Sequence, residues 1–179
     1  MPSVFLAPHP ESPSHPVERI EVVIVRSLAG GLSLTYRVAG NINGLLIPAP
    51  QTAARADGLW RHACLEAFVD VGNGAYREFN FSPSGLWQAY EFSAYRAGGL
   101  MTSAADPRIT SQLGPRTLSV SAKLHADDLP PASAALRLGL SAVIEAADGT
   151  ISYWALRHAP GKPDFHHPDT FALELFPCP

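Results

Sequence analysis

Apolar and polar residues alternate with a period of two along several stretches of the chain. The clearest runs are 32–38, 118–124 and 136–144, in which every second side chain is apolar. Such alternation is typical of β-strands with one buried face. The continuous apolar run 22–25 indicates a strand covered on both sides. The same reasoning predicts further strands in the segments 64–71, 76–82, 86–95, 152–156 and 171–175.

The segments between these strands contain turn residues and no helical pattern. Gly72-Asn73-Gly74 and Gly98-Gly99 are typical turn signals, and no segment carries an apolar stripe at helical spacing. Many short strands at even spacing predict an all-β fold, an antiparallel β-sandwich or barrel. We find neither a linker nor a repeat, so we predict one domain spanning residues 1–179. The segment 97–115 has a weak pattern and is predicted to be a long loop.

Composition narrows the classes of partner. The chain has 13 basic and 16 acidic residues and a net charge of −3, so no basic surplus favours nucleic acid or an anionic membrane. The first ten residues lack the basic start and apolar core of a signal peptide, and no apolar stretch is long enough to span a membrane. We therefore expect a cytoplasmic protein. The two cysteines, Cys64 and Cys178, show no disulfide or metal spacing.

The segment 76–95 predicts a hairpin with a distinctive outer face. Its two alternating runs flank Ser82-Pro83-Ser84-Gly85, which is typical of a four-residue loop. If Phe81 pairs with Leu86, Asn80 faces Trp87 and Glu78 faces Ala89. One face of the hairpin then presents the following residues: Tyr76, Glu78, Asn80, Trp87, Ala89 and Glu91. If the strand 64–71 is a neighbour, Glu66 joins the same face.

A flat aromatic ring surrounded by amide and carboxylate groups suits a sugar. The ring stacks on the apolar face of a pyranose, and the oxygen acceptors bind its hydroxyl protons. The alternative interpretation is a solvated outer face with one exposed tryptophan. The choice depends on the register, because a one-residue shift sends Trp87 into the core.

The sequence also contains residue types that occur in metal sites, in glycoside hydrolases and in haem sites. The segment 158–169 combines His158, Asp164, His166, His167 and Asp169, but its spacing matches no known zinc site, so we expect no metal. Paired carboxylates among Glu66, Glu78 and Glu91 leave a glycoside hydrolase open. Met101 is the single methionine besides the initiator, and a thioether can be an axial haem ligand, so haem is the alternative cofactor.

Three sequence blocks carry a resemblance to a known family. They are LWRHACLEAFVD (59–70), YREFNFSPSGLWQAYEFSAYRAG (76–98) and YWALRHAPGKPDFHHPDTFALEL (153–175). They resemble the bacterial DOMON-like proteins related to family 9 carbohydrate-binding modules. The resemblance implies a β-sandwich of two antiparallel sheets that binds a ligand on a concave sheet face or at its rim. It also implies that some relatives bind sugars between aromatic rings, whereas others bind haem through methionine with histidine or lysine.

These arguments predict a non-catalytic domain that binds a saccharide or sugar-derived ligand. The predicted sheet residues are Glu66, Glu78, Asn80, Trp87 and Glu91. The predicted rim residues are Arg96, Trp154, Lys162 and His166. For the haem alternative that the resemblance implies, the pair to consider is Met101 with Lys162 or with a histidine of the block 153–175. No other cofactor is expected.

Overall fold

The alternating segments form twelve β-strands in the computed structural model, which describes residues 2–177. Their bounds are Ser3–Pro8 (β1), Val17–Arg26 (β2), Leu32–Gly40 (β3), Cys64–Gly72 (β4), Ala75–Phe81 (β5), Trp87–Ala94 (β6), Ala97–Leu100 (β7), Arg108–Leu113 (β8), Thr117–Leu124 (β9), Leu136–Glu145 (β10), Ile151–Ala155 (β11) and Leu173–Leu175 (β12). Short 3-10 helices occupy Ile42–Gly44, Leu59–Arg61, Ala126–Asp128 and Pro168–Thr170. Residues 2–177 contain no α-helix, and none of their helical turns is long and apolar enough to cross a membrane.

The strands form two antiparallel sheets that share one strand. The back sheet has the order β8-β9-β3-β2-β1, and the front sheet has the order β7-β6-β5-β4-β10-β11 with β12 also paired to β10. The first part of β1 pairs with β2, whereas Ala7 and Pro8 pair with β11. The two sheets are therefore continuous along one side. This curled antiparallel arrangement confirms the predicted all-β class.

The main hydrophobic core lies between the sheets. The back sheet contributes residues such as Ile20, Leu34 and Tyr36, and the front sheet contributes residues such as Phe79 and Leu140. These are the apolar positions of the alternating runs, so burial of one side chain in two stabilises both sheets. The hydroxyl of Tyr36 donates to the backbone oxygen of Glu66 at 2.6 Å, which joins the two sheets across the core.

The hairpin register differs by one residue from the predicted one. Phe81 pairs with Trp87 and Glu78 with Tyr90, so the loop holds five residues, 82–86, and not four. The backbone N–H of Ser82 donates to the Leu86 oxygen at 2.9 Å, and Gly85 takes a φ of 98° that favours glycine. The predicted pairing of Phe81 with Leu86 is therefore wrong, because the extra residue completes the turn inside the loop.

Three other expectations change. The segment 97–115 is not a long loop, because it contains β7 and β8. The run 22–25 has one buried face only, since Val25 is exposed on the outside of the back sheet. The strand β1 was not predicted at all.

Cys64 is buried in β4, whereas Cys178 lies outside the described residues.

Candidate functional site

A cavity of about 590 Å³ opens on the outer face of the front sheet. Its aromatic lining residues are Trp60, Phe68, Tyr90, Phe92, Tyr153 and Phe165. Its ionisable lining residues, besides the two tyrosines, are Arg61, Glu66, Glu78, Arg96 and His166. The remaining lining residues are Val143, Ile151 and Pro163. The cavity thus combines apolar rings with a few polar groups, which is the usual character of a small-molecule site.

The strand pairing places polar side chains on the floor of this cavity. Glu66 lies opposite Asn80 on one side and Ser141 on the other. Glu78 lies one step along β5, opposite Phe68 and Tyr90. Side chains at alternate positions share a face, so Glu66, Asn80 and Glu78 come together on the outside of the sheet. This part of the predicted face is confirmed by the register.

The two carboxyl groups are buried and bonded mainly to neutral partners. Ser141 donates its hydroxyl to Oε2 of Glu66 at 3.1 Å, and Asn80 donates its amide to Oε1 of Glu78 at 2.9 Å. Burial, followed by repulsion from Glu78, raises the pKa of Glu66 well above its usual range. Burial also raises the pKa of Glu78 to about 7. Both groups therefore resist ionisation near neutral pH.

Two loops that meet over the sheet form one wall of the cavity. The turn between β6 and β7 carries Tyr95 and Arg96, and the loop after β11 carries Asp164. The Asp164 carboxylate accepts hydrogen bonds from the Tyr95 hydroxyl at 2.6 Å and the Arg96 guanidinium at 2.8 Å. Burial opposes the ionisation of Asp164, but these two bonds outweigh it and lower its pKa. Asp164 therefore acts as the anchor between the loops.

His166 is held by the same arrangement. Its backbone N–H donates to Asp164, and its Nδ1 lies 2.8 Å from the Tyr76 hydroxyl. The same hydroxyl accepts the Arg96 backbone N–H at 3.0 Å, so Tyr76 joins the His166 ring to the turn between β6 and β7. Nε2 lies 3.7 Å from Glu78 Oε2.

The protonation states of His166 and Glu78 decide the nature of this contact. Burial, followed by the charge of Arg96, lowers the pKa of His166 to about 4. The pKa of Glu78 is about 7, so both groups are uncharged between these values and no ion pair forms there. His166 is therefore an uncharged ring at the cavity above about pH 4.

The opposite wall comes from the loop that precedes β4. Trp60 is 47% exposed and lines the cavity, with the Arg61 guanidinium 5.1 Å from the centre of its ring. In the same loop, the Asp57 carboxylate accepts a hydrogen bond from the Tyr90 hydroxyl, which fixes the Tyr90 ring on the floor of the cavity. Trp60 is thus the tryptophan whose ring is accessible from the cavity.

Trp87 lies on the opposite side of the sheet from the cavity. It is 2% exposed and belongs to the core between the sheets, with the Arg55 guanidinium 4.2 Å from its ring centre. The predicted placement of Trp87 on the outer face is therefore wrong. The five-residue loop shifts β6 by one position, and each side chain of that strand changes face. Tyr90 takes the place beside Glu78 that the prediction gave to Ala89.

Glu91 and Trp154 also lie away from the cavity. Glu91 pairs with Arg77 on the inner side of the hairpin, beyond the edge of the core, and is exposed. Trp154 is 2% exposed in the core, and its ring nitrogen donates to the Ser152 hydroxyl at 3.1 Å. Its predicted position at the rim is wrong, because the alternation of β11 directs Tyr153 outward and Trp154 inward.

The remaining predicted residues have mixed placements. Arg96 and His166 line the cavity, and Lys162 is exposed next to the lining residue Pro163. Met101 is 2% exposed and belongs to the core between the sheets, whereas the loop of Lys162 covers the outer face. The structure therefore does not bring Met101 and Lys162 together. Among residues 2–177 no group of three histidine, cysteine or carboxylate side chains is arranged to hold a metal ion.

The sequence interpretation missed most of the aromatic wall. Phe68 occupies the alternate position to Glu66 on β4, so the strand period alone could have placed it. Trp60 and Phe165 lie in loops, and no periodic signal reports which way a loop side chain points. The incorrect register left Tyr90 and Phe92 off the predicted outer face.

The architecture resembles solved carbohydrate-binding modules. A family 9 carbohydrate-binding module from Caldicellulosiruptor kristjanssonii, solved with cellotriose, superposes with a TM-score of 0.58 at 11% identity, covering 88% of this chain and 74% of that one. Its complex with glucose gives 0.53 at 10% identity, covering 84% and 75%. The chain has the fold of a family 9 carbohydrate-binding module.

A third solved structure is similar to this fold. It is a candidate carbohydrate-binding protein from Bacteroides uniformis, with a TM-score of 0.63 at 15% identity, covering 94% of this chain and 83% of that one. No protein-family model matches the sequence, and a search of curated proteins finds no match. The fold expected from the family 9 resemblance is thus confirmed, and the relation to DOMON-like proteins stays a prediction.

Proposed function

We propose that this chain is a non-catalytic saccharide-binding module and that its ligand binds in the outer cavity of the front sheet. The observation that carries the proposal is the composition of that cavity, in which Trp60 and Phe92 lie on the walls and Glu66 and Glu78 on the floor. Sugar rings combine apolar C–H faces with hydroxyl groups, so they need aromatic surfaces and hydrogen-bonding groups in the same site.

Each polar group has a distinct part in this proposal. Glu66 and Glu78 accept or donate hydrogen bonds to hydroxyl groups, depending on their protonation. The Arg96 guanidinium acts as a donor, and the neutral His166 ring donates or accepts according to its tautomer. The cavity volume of about 590 Å³ falls in the usual range for small-ligand sites. The family 9 modules of the same fold that were solved with cellotriose and glucose support a ligand of this class.

Isothermal titration with glucose and cellotriose tests the proposal. We expect dissociation constants between about 1 μM and 1 mM, because a partly open site with few polar contacts gives modest affinity. Trp60→Ala should weaken binding at least about tenfold through loss of the stacking surface. Phe5→Ala is the matched control, since Phe5 is a 57% exposed aromatic residue in β1. Equal binding by Trp60→Ala and the unmodified protein would contradict the proposed site.

A glycoside hydrolase is the second candidate function. It is favoured by one observation: two carboxyl groups line the cavity, and the pKa of about 7 at Glu78 suits a general acid. Incubation with cellotriose decides between the two functions. Release of glucose that Glu78→Gln abolishes would establish the hydrolase, whereas binding without product supports the module.

A further inference from the structure

Both carboxyl groups of the cavity have one oxygen without a close partner. Glu66 is 2% exposed, and its only side-chain hydrogen bond is the one from Ser141 to Oε2. Its Oε1 has no hydrogen-bond partner among residues 2–177. Glu78 Oε2 faces only the His166 Nε2 at 3.7 Å, which is beyond hydrogen-bond distance. Two carboxyl oxygens are therefore free at the floor of the cavity, where the Asn80 amide oxygen also lacks a partner.

The positive charges near the cavity are not directed to these two oxygens. Arg96 is bound to Asp164 at 2.8 Å, and Arg61 lies over the Trp60 ring at the exposed mouth. Neither arginine forms a salt bridge with Glu66 or Glu78 within the described part of the chain. Buried carboxyl groups are normally paired with a cation in proteins. Here the charge of Arg96 favours the ionised form of Glu78 only from a distance, and no arginine or lysine among residues 2–177 forms a salt bridge with either carboxyl group.

The rings around this floor also suit a cation. Phe68 and Phe92 line the cavity beside the two carboxyl groups, and Tyr153 and Phe165 lie on the side of β11. Aromatic faces attract ammonium groups through their negative quadrupole, and the attraction grows when water is excluded. The aromatic rings and the carboxyl groups of the cavity thus both favour an ammonium group.

We propose that the sugar recognised by this cavity carries a free ammonium group, which places the ligand among the amino sugars. This inference rests on the proposed saccharide-binding function and specifies its ligand class. The ammonium group donates to Glu66 Oε1 and Glu78 Oε2, which then ionise and release their protons. The sugar ring lies against the aromatic wall formed by Trp60.

Proton release gives the proposal a second readout. The titratable and charged groups around the carboxyl pair are Cys64 on β4, Tyr76 on β5, Tyr90 on β6, Arg61 and Arg96 in the loops, Tyr153 on β11, Asp164 and His166 in the loop after it, and Tyr36 on β3 behind the sheet. Burial raises the pKa of Cys64, Tyr76 and Tyr90, and it lowers that of His166 to about 4. Near pH 6.5, ligand binding should therefore release protons mainly from Glu66 and Glu78.

The experiment compares four sugars by calorimetry at pH 6.5. Glucosamine is the ammonium probe, glucose and N-acetylglucosamine are its neutral counterparts, and glucuronate is the anion. We expect glucosamine to bind about tenfold or more tightly than the other three, because hydrogen bonds to charged groups are the stronger ones. Titration in two buffers of different ionisation enthalpy should show proton release for glucosamine alone.

Matched variants locate the effect. Glu78→Gln should weaken glucosamine binding about tenfold and reduce the released protons. Glu91→Gln makes the same side-chain substitution on the other side of the hairpin and should retain both properties. A melting curve confirms that each variant is folded. Proton release measured with the unmodified protein tests the inference without any substitution.

The outcomes separate this inference from the proposed function. Glucose binding as tightly as glucosamine, or glucuronate binding most tightly, overturns the ammonium ligand and leaves saccharide binding in place. Binding of none of the four sugars contradicts both proposals. A preference for glucosamine that Glu78→Gln leaves unchanged overturns the assigned position of the ammonium group.

Discussion

The outer faces of the two sheets have similar polar residues but different surroundings. On the back sheet, Thr35 bonds to Ser121 across neighbouring strands, and Arg37 lies 3.6 Å from Glu21 at the surface. On the front sheet, Glu66, Asn80 and Ser141 occupy equivalent outward positions but are each at most 2% exposed. The difference comes from the loops that lie over the front sheet, which exclude water from its polar side chains. A polar residue at an outward strand position therefore indicates a site only where other segments cover it.

The largest expected effect separates Trp87 in the core from Trp60 on the cavity wall. Trp87→Ala should lower the free energy of unfolding by about 3–5 kcal/mol, because it leaves a cavity in the core and removes the ring under Arg55. Trp60→Ala should change it by less than about 1 kcal/mol, since the side chain is 47% exposed. Urea unfolding measures both values. Similar values for the two variants would place Trp87 outside the core and contradict the register.

The second effect tests whether the covering loops desolvate Glu78. The pKa of Glu78 is raised to about 7, above that of an unfolded chain, so the folded state retains a proton that the unfolded state loses. Stability is therefore lost as the pH rises from about 5 through 7, and Glu78→Gln removes this loss. Relative to the unmodified protein, the variant should gain on the order of 2 kcal/mol between pH 5 and pH 8.

The matched variant on the back sheet is Glu21→Gln, which removes a partly exposed carboxylate. Its difference from the unmodified protein should stay within about 0.5 kcal/mol at both pH values, because surface ion pairs contribute little. The lowered pKa of His166 has the opposite pH dependence but is common to all three proteins and cancels in the comparison. An equal pH response of the two variants would show that the front sheet is as solvated as the back sheet.

The smallest effect is expected from removing one ion pair on each side of the molecule, Arg96–Asp164 on the front and Arg116–Glu18 on the back. Asp164→Ala should reduce stability by about 1 kcal/mol and weaken sugar binding several-fold, because Arg96 and His166 lose their common anchor. Glu18→Ala breaks the exposed pair with Arg116 on the back sheet and should cost less than about 0.5 kcal/mol, with binding unchanged. Thermal melting and titration with the same sugar provide both comparisons. Loss of binding in Glu18→Ala would contradict the assignment of the site to the front sheet.

Features that follow from strand alternation were predicted correctly, whereas features that depend on loop conformation were not. Strand alternation is a local property, and it located the core positions of β3, β9 and β10 as well as Glu66 and Glu78 on one face. The position of Trp87 depended on whether the loop 82–86 had four or five residues, and hydrogen bonds within that loop decided it. The strands β7 and β8 were missed because their sequences are short and rich in small or polar residues.

The sequence by itself determined the strand periodicity, the all-β class and the placement of Glu78 and Asn80 on one sheet face, because these follow from the two-residue repeat of an extended chain. The pairing of β4 with β5 added Glu66 to that face. Only the tertiary structure decided which tryptophan lies in the core and which lines the cavity. It also decided that the polar face is buried, because the loops carrying Trp60 and Asp164 cover that face only after folding. Desolvation of Glu66 and Glu78 is a consequence of that covering, and no local pattern encodes it.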